Sequence, residues 1–400
     1  MPNFKYQVID AAGKTSTGVI DAASMADASR KLRAEGKFVA SLSLDKGAGF
    51  LNFGGKRKLK TKDLVLITRQ LSSLLSAGIT IIRALDMLYQ QVESKNTKMI
   101  VGEVYESIQG GRTMSEAFKE QQGLVPNIMI SMIAAGEESG RLDEVMERLA
   151  EHFQKAQKLK NKMSSAMVYP KILAFVTFAV SWGLLTFLVP SITKTIADLG
   201  GELPALTKFI IGVSNSLTNF WYIYAAVIIG AVVGFKTWRA SAKGAYQWSW
   251  LMLRLPIVGP MTTMTATAQF TRTVSTLLKS GISILQAVEI TEKSLDNIIL
   301  EKKLADARTE IRKGAALSKS IKGIEEFPPM VYAMTAIGEE SGTLDTILEK
   351  AADYFEDEAD AATTKMTSAL EPIMIIVMAV IVGLIVGGIA IPIFNMASYI

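Results

Sequence analysis

Three stretches of the chain are apolar and free of charged residues, while the remainder alternates apolar and polar positions with the period of soluble helices. The stretches cover 172–189, about 219–235, and the segment from Pro372 towards the end of the chain. A helix of about 18 residues is roughly 27 Å long, close to the thickness of a bilayer's hydrocarbon core. The pattern predicts three transmembrane helices, because a buried core helix seldom stays uncharged over that length.

Basic residues are concentrated on one side of these stretches. The outer loop at 191–218 contains only two basic residues, Lys194 and Lys208. The positive-inside rule therefore places the N-terminus and the 239–370 segment in the cytoplasm. Because the chain then crosses the membrane three times, an odd number, its C-terminus is expected outside. The cytoplasmic groups are Lys155, Lys158, Lys160, Lys162 and Lys171 before the first stretch, and Lys236, Arg239, Lys243 and Arg254 after the second.

Small residues recur every four positions within the second and third stretches. Such spacing puts a flat strip on one helix face and lets another helix approach closely, although glycine is common in membrane helices in any case. We expect transmembrane packing at Gly230 and Gly234, and at Gly383 and Gly387. The absence of charged residues within the stretches counts against a pump or transporter.

The chain also repeats itself. Residues 68–81 share eight of fourteen identities with 271–284, and residues 132–145 share nine of fourteen with 334–347. Self-similarity at this separation indicates a duplicated domain rather than a short solenoid repeat. We predict two homologous cytoplasmic bundles of about six antiparallel helices, each followed by a membrane helix.

The first 45 residues differ from both repeats. Their alternation predicts strands at 4–9, 18–21 and 38–44, with a helix at 22–36. The predicted fold is an all-α integral membrane protein with a small α/β N-terminal module. The predicted division is the module at 1–45, a linker at 46–60, the first helical repeat at 61–167, a transmembrane helix at 168–190, the outer loop at 191–218, a transmembrane helix at 219–238, a connector at 239–263, the second repeat at 264–370 and a transmembrane helix at 371–397.

Composition removes most enzymatic chemistry. The chain has no cysteine and one histidine, His152, which excludes thiolate sites, multi-histidine zinc sites and histidine-based triads. It has no phosphate-binding loop motif, so we expect no nucleotide hydrolysis and no cofactor. The net charge of +5 would suit nucleic acid, but two of the three basic clusters, Lys155 to Lys162 and Lys236 to Lys243, flank apolar stretches, and only the cluster Lys56-Arg57-Lys58 does not. We therefore expect membrane lipid as the partner of the two flanking clusters, and no nucleic acid.

The strongest candidate site is the sequence Gly-Glu-Glu-Ser-Gly, which occurs at 136–140 and again at 338–342. Paired carboxylates can bind a cation or perform acid–base chemistry, whereas glycines and a serine at this spacing also suit a tight helix–helix turn. We favour a structural or interface role and expect no metal. The candidates are Gly136, Glu137, Glu138 and Gly140, with Gly338, Glu339, Glu340 and Gly342; we hypothesise that Arg69 and Arg272 pair with the glutamates of their own repeats.

The ordered set of motifs resembles one known family. It comprises Thr68-Arg-Gln-Leu71, both Gly-Glu-Glu-Ser-Gly sequences, Tyr169-Pro170, Leu255-Pro-Ile-Val-Gly-Pro260 and Glu371-Pro372. Each motif is weak alone, but together and in this order they resemble the inner-membrane platform proteins of type IV pilus and type II secretion machines, the PilC/GspF family.

This resemblance implies a multi-pass protein of the cytoplasmic membrane. Its expected partners are a secretion or pilus assembly ATPase, prepilins or pseudopilins, other inner-membrane assembly proteins and further copies of the chain as a homo-oligomer. The implied function is to couple ATPase motion to extraction of pilin subunits from the membrane, without enzymatic activity. The alternatives are a transporter or channel component, which needs polar residues within its spans, and a receptor, which needs a substantial outer domain.

Overall fold

The computed structural model describes residues 3–9, 15–21, 31, 38–45, 57–121, 123–198 and 204–397. The chain forms two compact units, one covering residues 1–57 and the other residues 58–400.

The N-terminal unit contains a three-stranded antiparallel sheet. Strand β1 (Asn3–Ile9) lies in the centre, between β2 (Thr15–Asp21) and β3 (Phe38–Asp45). A register shift between Gln7 and Val8 interrupts the pairing of β1 with β3. These strands confirm the predicted ones. The predicted helix at 22–36 lies outside the described residues except for Lys31, which is helical, and most of the predicted linker also lies outside them.

The first bundle has six helices in its described residues, as predicted. They are α1 (Thr61–Ser76), α2 (Ile81–Gln91), α3 (Lys95–Gln109), α4 (Met114–Glu120), α5 (Asn127–Ser139) and α6 (Leu142–Ala166). Local signals set several boundaries. Gly78, with φ of 78°, follows the end of α1, and Thr113 forms a capping box with Glu116 before α4.

The membrane region follows without a long break. Helix α7 (Val168–Gly183) continues through a π-helical turn, Leu184–Leu188, into α8 (Val189–Asp198). The predicted outer loop is largely helical, because it contains most of α8 and α9 (Ala205–Asn219). The second span is α10 (Trp221–Ala240), and α11 (Ala242–Arg254) leads to the second bundle.

The second bundle also has six helices. They are α12 (Val258–Lys279), α13 (Ile284–Glu292), α14 (Ile298–Arg312), α15 (Leu317–Ile321), α16 (Pro329–Ser341) and α17 (Leu344–Ala397). Helix α17 has 54 residues and therefore extends for roughly 81 Å. It begins in the bundle and becomes the third span without interruption.

Three helices in the described residues are long and apolar enough to cross a membrane, and they contain most of each predicted stretch. Residues of both bundles contribute to one continuous apolar core. Each bundle is organised around its first and last helices, since α1 lies along α6 and α12 lies along α17. Helix α6 contributes one apolar face to this core: Leu142, Met146, Leu149 and Phe153, which recur at helical spacing.

Candidate functional site

The two Gly-Glu-Glu-Ser-Gly sequences form the sharp turns that lead into α6 and α17. In each turn the second glycine ends the preceding helix in the left-handed conformation, with φ of 70° at Gly140 and 69° at Gly342. Only glycine adopts this conformation without strain, which explains the residue type at both positions.

The first glycine of each sequence allows the turn to close. A Cβ atom on Gly136 would lie 3.0 Å from Cγ2 of Val145, and one on Gly338 would lie 2.9 Å from Cα of Leu344. Either side chain would push the two helices of the turn apart. Each repeat contains the same close turn between two helices. This explains why Gly-Glu-Glu-Ser-Gly occurs in both repeats.

The first glutamate of each pair caps another helix of its own bundle. Glu137 accepts hydrogen bonds from the backbone N–H groups of Met114 (2.5 Å) and Ser115 (3.2 Å) at the start of α4. Glu339 does the same for Leu317 (2.5 Å) and Ser318 (3.0 Å) at the start of α15. A carboxylate at a helix N-terminus satisfies orphan donors and favours the helix dipole.

The second glutamates, Glu138 and Glu340, are exposed. Among the described residues, no group of three or more potential ligands is arranged to hold a metal ion. The geometry therefore gives the first glycine, the first glutamate and the second glycine roles in folding, and leaves the second glutamates without such a role.

The hypothesis that Arg69 and Arg272 pair with these glutamates is wrong. Arg272, which is 7% exposed, forms ion pairs with Asp353 and with Glu356, its Nε lying 2.7 Å from a carboxylate oxygen of Glu356. Arg69 is exposed and forms no ion pair with either glutamate of its repeat within the part of the chain that the structure describes. Glu137 and Glu339 are already engaged at helix N-termini, and Arg272 pairs with acidic residues of α17 instead.

Arg272 is part of a polar cluster where the two bundles meet. Lys155 of α6 reaches Asp353 at 3.0 Å, so this carboxylate joins the two repeats. Burial on its own lowers the pKa of Arg272, but the hydrogen bonds and charges of Glu356 and Asp353 outweigh it and raise that pKa above its usual value. Burial raises the pKa of Asp353, but its hydrogen bonds from Arg272 and Lys155 lower it overall.

His152 lies at the edge of this cluster. Burial and, to a lesser extent, the positive charge of Arg272 together lower its pKa to about 4. Its ring stacks edge-on against Phe153 at 5.3 Å, as that of its counterpart Tyr354 does against Phe355 at 5.2 Å. His152 is therefore a neutral packing residue at physiological pH.

Helices α6 and α17 run parallel beside this cluster towards the membrane. Lys162 pairs with Asp360 at 2.6 Å, and the hydroxyl of Tyr169 donates to Glu371 at 3.4 Å, where the first and third spans begin. Exposed pairs of this kind contribute only about 0–1 kcal/mol each. They set the register of the two helices more than they stabilise the fold.

Equivalent residues on α5 of the first bundle and α16 of the second bundle differ in exposure. Helix α5 contacts α12 and α13 of the second bundle, and its Ile128 is 3% exposed. The counterpart of this residue on α16 is Met330, which is 41% exposed, and Ile337 on the same helix is 57% exposed. The second bundle thus keeps an exposed apolar strip, which we call the α16 face (Met330, Ala333 and Ile337), where the equivalent residues of the first bundle are buried or half-buried.

Within the membrane region, most small-residue positions are open. A Cβ on Gly230, Gly234, Gly383 or Gly387 would meet no atom within 4 Å. The close helix approach occurs instead at Gly388, which α9 crosses, with Thr207 Oγ1 donating to the Gly388 carbonyl at 2.6 Å. None of the residues on α10 is buried.

The fold and these contacts define a duplicated helical scaffold with three helices long and apolar enough to cross a membrane. Residues 67–190 and 270–392 each match the family described as "Type II secretion system (T2SS), protein F", and residues 1–43 match its N-terminal domain. The chain belongs to the type II secretion system protein F family. Each of the two longer matches covers one helical repeat with the membrane helix after it, which confirms the duplication.

Relatives cover the whole chain. The type IV pilus assembly protein PilC of Thermus thermophilus is 35% identical over 99% of this chain and 98% of its own length. PilC of Myxococcus xanthus is 31% identical over 99% and 95%. The type II secretion system protein F of Pseudomonas aeruginosa is 31% identical over 99% of each chain. The resemblance inferred from the motifs is therefore confirmed.

Proposed function

We propose that this chain is the inner-membrane platform of a type IV pilus or type II secretion machine, and that it passes motion from a cytoplasmic assembly ATPase to pilin-like subunits in the membrane. On this proposal it acts by binding, without catalysis of its own. The observation that carries the proposal is a difference between the two repeats: the α16 face is exposed, whereas the equivalent residues on α5 are buried or half-buried.

The α16 face suits a protein partner. Met330, Ala333 and Ile337 follow one another at helical spacing on an exposed surface, and exposed apolar strips in a cytoplasmic bundle are costly unless a partner covers them. We assign this face to the ATPase. The exposed carboxylate of Glu340 extends the strip by one turn and supplies a charge at its rim.

Helix α17 provides a direct mechanical link from this face to the membrane. The turn after α16 packs Gly338 against Leu344, the first residue of α17. From there a single helix extends into the third span, with the second bundle packed along it through α12. A displacement of α16 would therefore move a rigid rod rather than a flexible connection.

The membrane face supports contact with further subunits. The exposed α10 and the open strips at Gly230 and Gly234, and at Gly383 and Gly387, leave flat apolar surfaces that pilin-like helices can approach. We place the N-terminus and both bundles in the cytoplasm and the C-terminus outside, on the distribution of basic residues.

The test is binding of the cognate assembly ATPase to the full chain in lipid nanodiscs, measured by biolayer interferometry. A double substitution, Met330→Glu and Ile337→Glu, should weaken binding at least about tenfold, since apolar anchors dominate such interfaces. The matched control is Met99→Glu on α3 of the first bundle, because Met99 is 42% exposed and thus equally accessible. Wild-type affinity in the double variant, or an equal loss in the control, would contradict the assignment.

A further inference from the structure

Helix α11 has an unusual exposed face for a helix of a cytoplasmic domain. Its exposed residues recur along one stripe: Ala242, Lys243, Tyr246, Gln247, Trp250, Leu251 and Arg254. Tyr246 and Trp250 are each 44% exposed and Leu251 is 39% exposed. A helix side that faces water is normally polar, whereas large aromatic and apolar residues mixed with cations are typical of helices that lie in a membrane interface.

The opposite face fixes the orientation of α11. Buried Ser249 accepts a hydrogen bond through its hydroxyl from the Ile298 N–H and through its carbonyl from the Asn297 side chain, both at 3.3 Å. These bonds tie the helix to the start of α14 in the second bundle. The exposed stripe is therefore held outward by the fold, not left to rotate.

The corner between α10 and α11 places that stripe at the foot of the second span. Trp248 of α11 lies edge-on against Phe235 of α10 with ring centroids 5.1 Å apart, and Arg239 lies over the same indole at 5.4 Å. A Cβ on Gly244 would lie 1.9 Å from the Trp238 carbonyl oxygen, so the two helices meet at van der Waals distance. Helix α11 thus starts at the depth where the span leaves the hydrocarbon core.

The charges of the stripe are all positive. Helix α11 has no acidic residue. Arg254 lies over the Trp250 ring at 4.6 Å, and Lys302 of α14 lies over the Tyr246 ring at 5.4 Å, so a cation from a second helix joins the same surface. Aromatic rings at headgroup depth flanked by cations match the phosphate layer of an anionic leaflet.

We propose that α11, with Lys302, binds the anionic phospholipid headgroups of the cytoplasmic leaflet. Tyr246, Trp250 and Leu251 enter the interface, while Lys243, Arg254 and Lys302 contact lipid phosphates. The second bundle is then held to the bilayer at two places, through α17 and through α11. This inference goes beyond the platform function and does not depend on which machine the chain serves.

The test uses the absence of cysteine in the chain. A Leu251→Cys variant of the full chain carries a nitroxide label in nanodiscs, and power-saturation EPR compares its collisions with oxygen and with a water-soluble nickel chelate. With about 30% phosphatidylglycerol in phosphatidylcholine, the oxygen-to-nickel ratio should rise at least about threefold over phosphatidylcholine alone. The triple variant Lys243→Gln, Arg254→Gln and Lys302→Gln should remove that rise.

Two controls separate this inference from the membrane assignment itself. A label at Val227, in the middle of α10, should favour oxygen in both lipids, and a label at exposed Thr346 should favour nickel in both. If Val227 were open to nickel, the spans and the platform function would fail together. If Val227 favoured oxygen but position 251 favoured nickel, or if the ratio at position 251 did not respond to phosphatidylglycerol or to the triple substitution, the headgroup site would be overturned. Shielding of position 251 from both reagents would also overturn it, in favour of a protein partner.

Discussion

Replacing Arg272 by methionine tests how the second bundle is held together. The substitution keeps the apolar stem but removes a guanidinium that is bonded to Asp353 and Glu356. Loss of one partner from a fully buried ion pair costs about 3–5 kcal/mol. The Asp353 side chain is 56% exposed and can rehydrate, whereas that of Glu356 is only 24% exposed. We therefore expect a smaller loss of stability than for a fully buried pair, about 2–3 kcal/mol.

The matched control is Arg69→Met, at the equivalent position of the first bundle. Arg69 is exposed, so this variant should lose less than about 0.5 kcal/mol. The assay is pulse proteolysis across a urea series in mild detergent, which reports the free energy of unfolding of the cytoplasmic bundles. Adding Glu356→Gln to Arg272→Met should restore about 1 kcal/mol, since the orphaned charge is then removed. Equal losses at Arg69 and Arg272, or no recovery in the double variant, would refute the reasoning.

Three further substitutions test other parts of the structure. Glu137→Ala should destabilise the first bundle by about 1–2 kcal/mol by uncapping α4, whereas Glu138→Ala should change the same urea midpoint little. Gly244→Ala should lower the thermal midpoint of the full chain in detergent, because its Cβ meets a backbone oxygen, while Gly234→Ala should leave it unchanged. His152 stays neutral in the folded protein down to about pH 4 but protonates below about 6.5 when unfolded. Stability therefore falls as pH drops through that interval, by up to roughly 3 kcal/mol, and His152→Tyr should remove this part of the pH dependence while leaving that of the carboxylates.

Much of the architecture could be predicted because its signals are local. The spacing of Leu142, Met146, Leu149 and Phe153 indicates one apolar face wherever the helix packs. Gly78 and Thr113 mark helix boundaries through conformations and hydrogen bonds that involve only neighbouring residues. The duplication could be read from identities alone.

The polar contacts were harder to predict because they depend on how helices are aligned in space. Arg272 meets Asp353 and Glu356 since α12 packs along α17 in one register, and nothing in the local sequence specifies that register. Asp353 and Glu356 do lie three residues apart, which puts them on one helix face and could have suggested a shared partner.

The role of α9 was missed for a similar reason. Its buried residues, Thr207, Ile210 and Ser214, are spaced three and four apart, which is a helical signal within the segment predicted as a loop. Their partners are on other helices. Ile210 lies against Gly388, and Ser214 donates to the Leu185 carbonyl at 2.5 Å. Helix α9, which connects the first span to the second along the chain, therefore packs against both the first and the third spans.

The most direct test of the platform function is photocrosslinking in living cells. A photoreactive phenylalanine analogue replaces Met330 on the α16 face. In two comparison variants it replaces Met99 of α3 or Phe209 of α9 instead. The platform function predicts an ultraviolet-dependent adduct with the cytoplasmic assembly ATPase from position 330, little from position 99 and none from position 209. An adduct from position 209, or no adduct from position 330 in cells that assemble filaments, would contradict it.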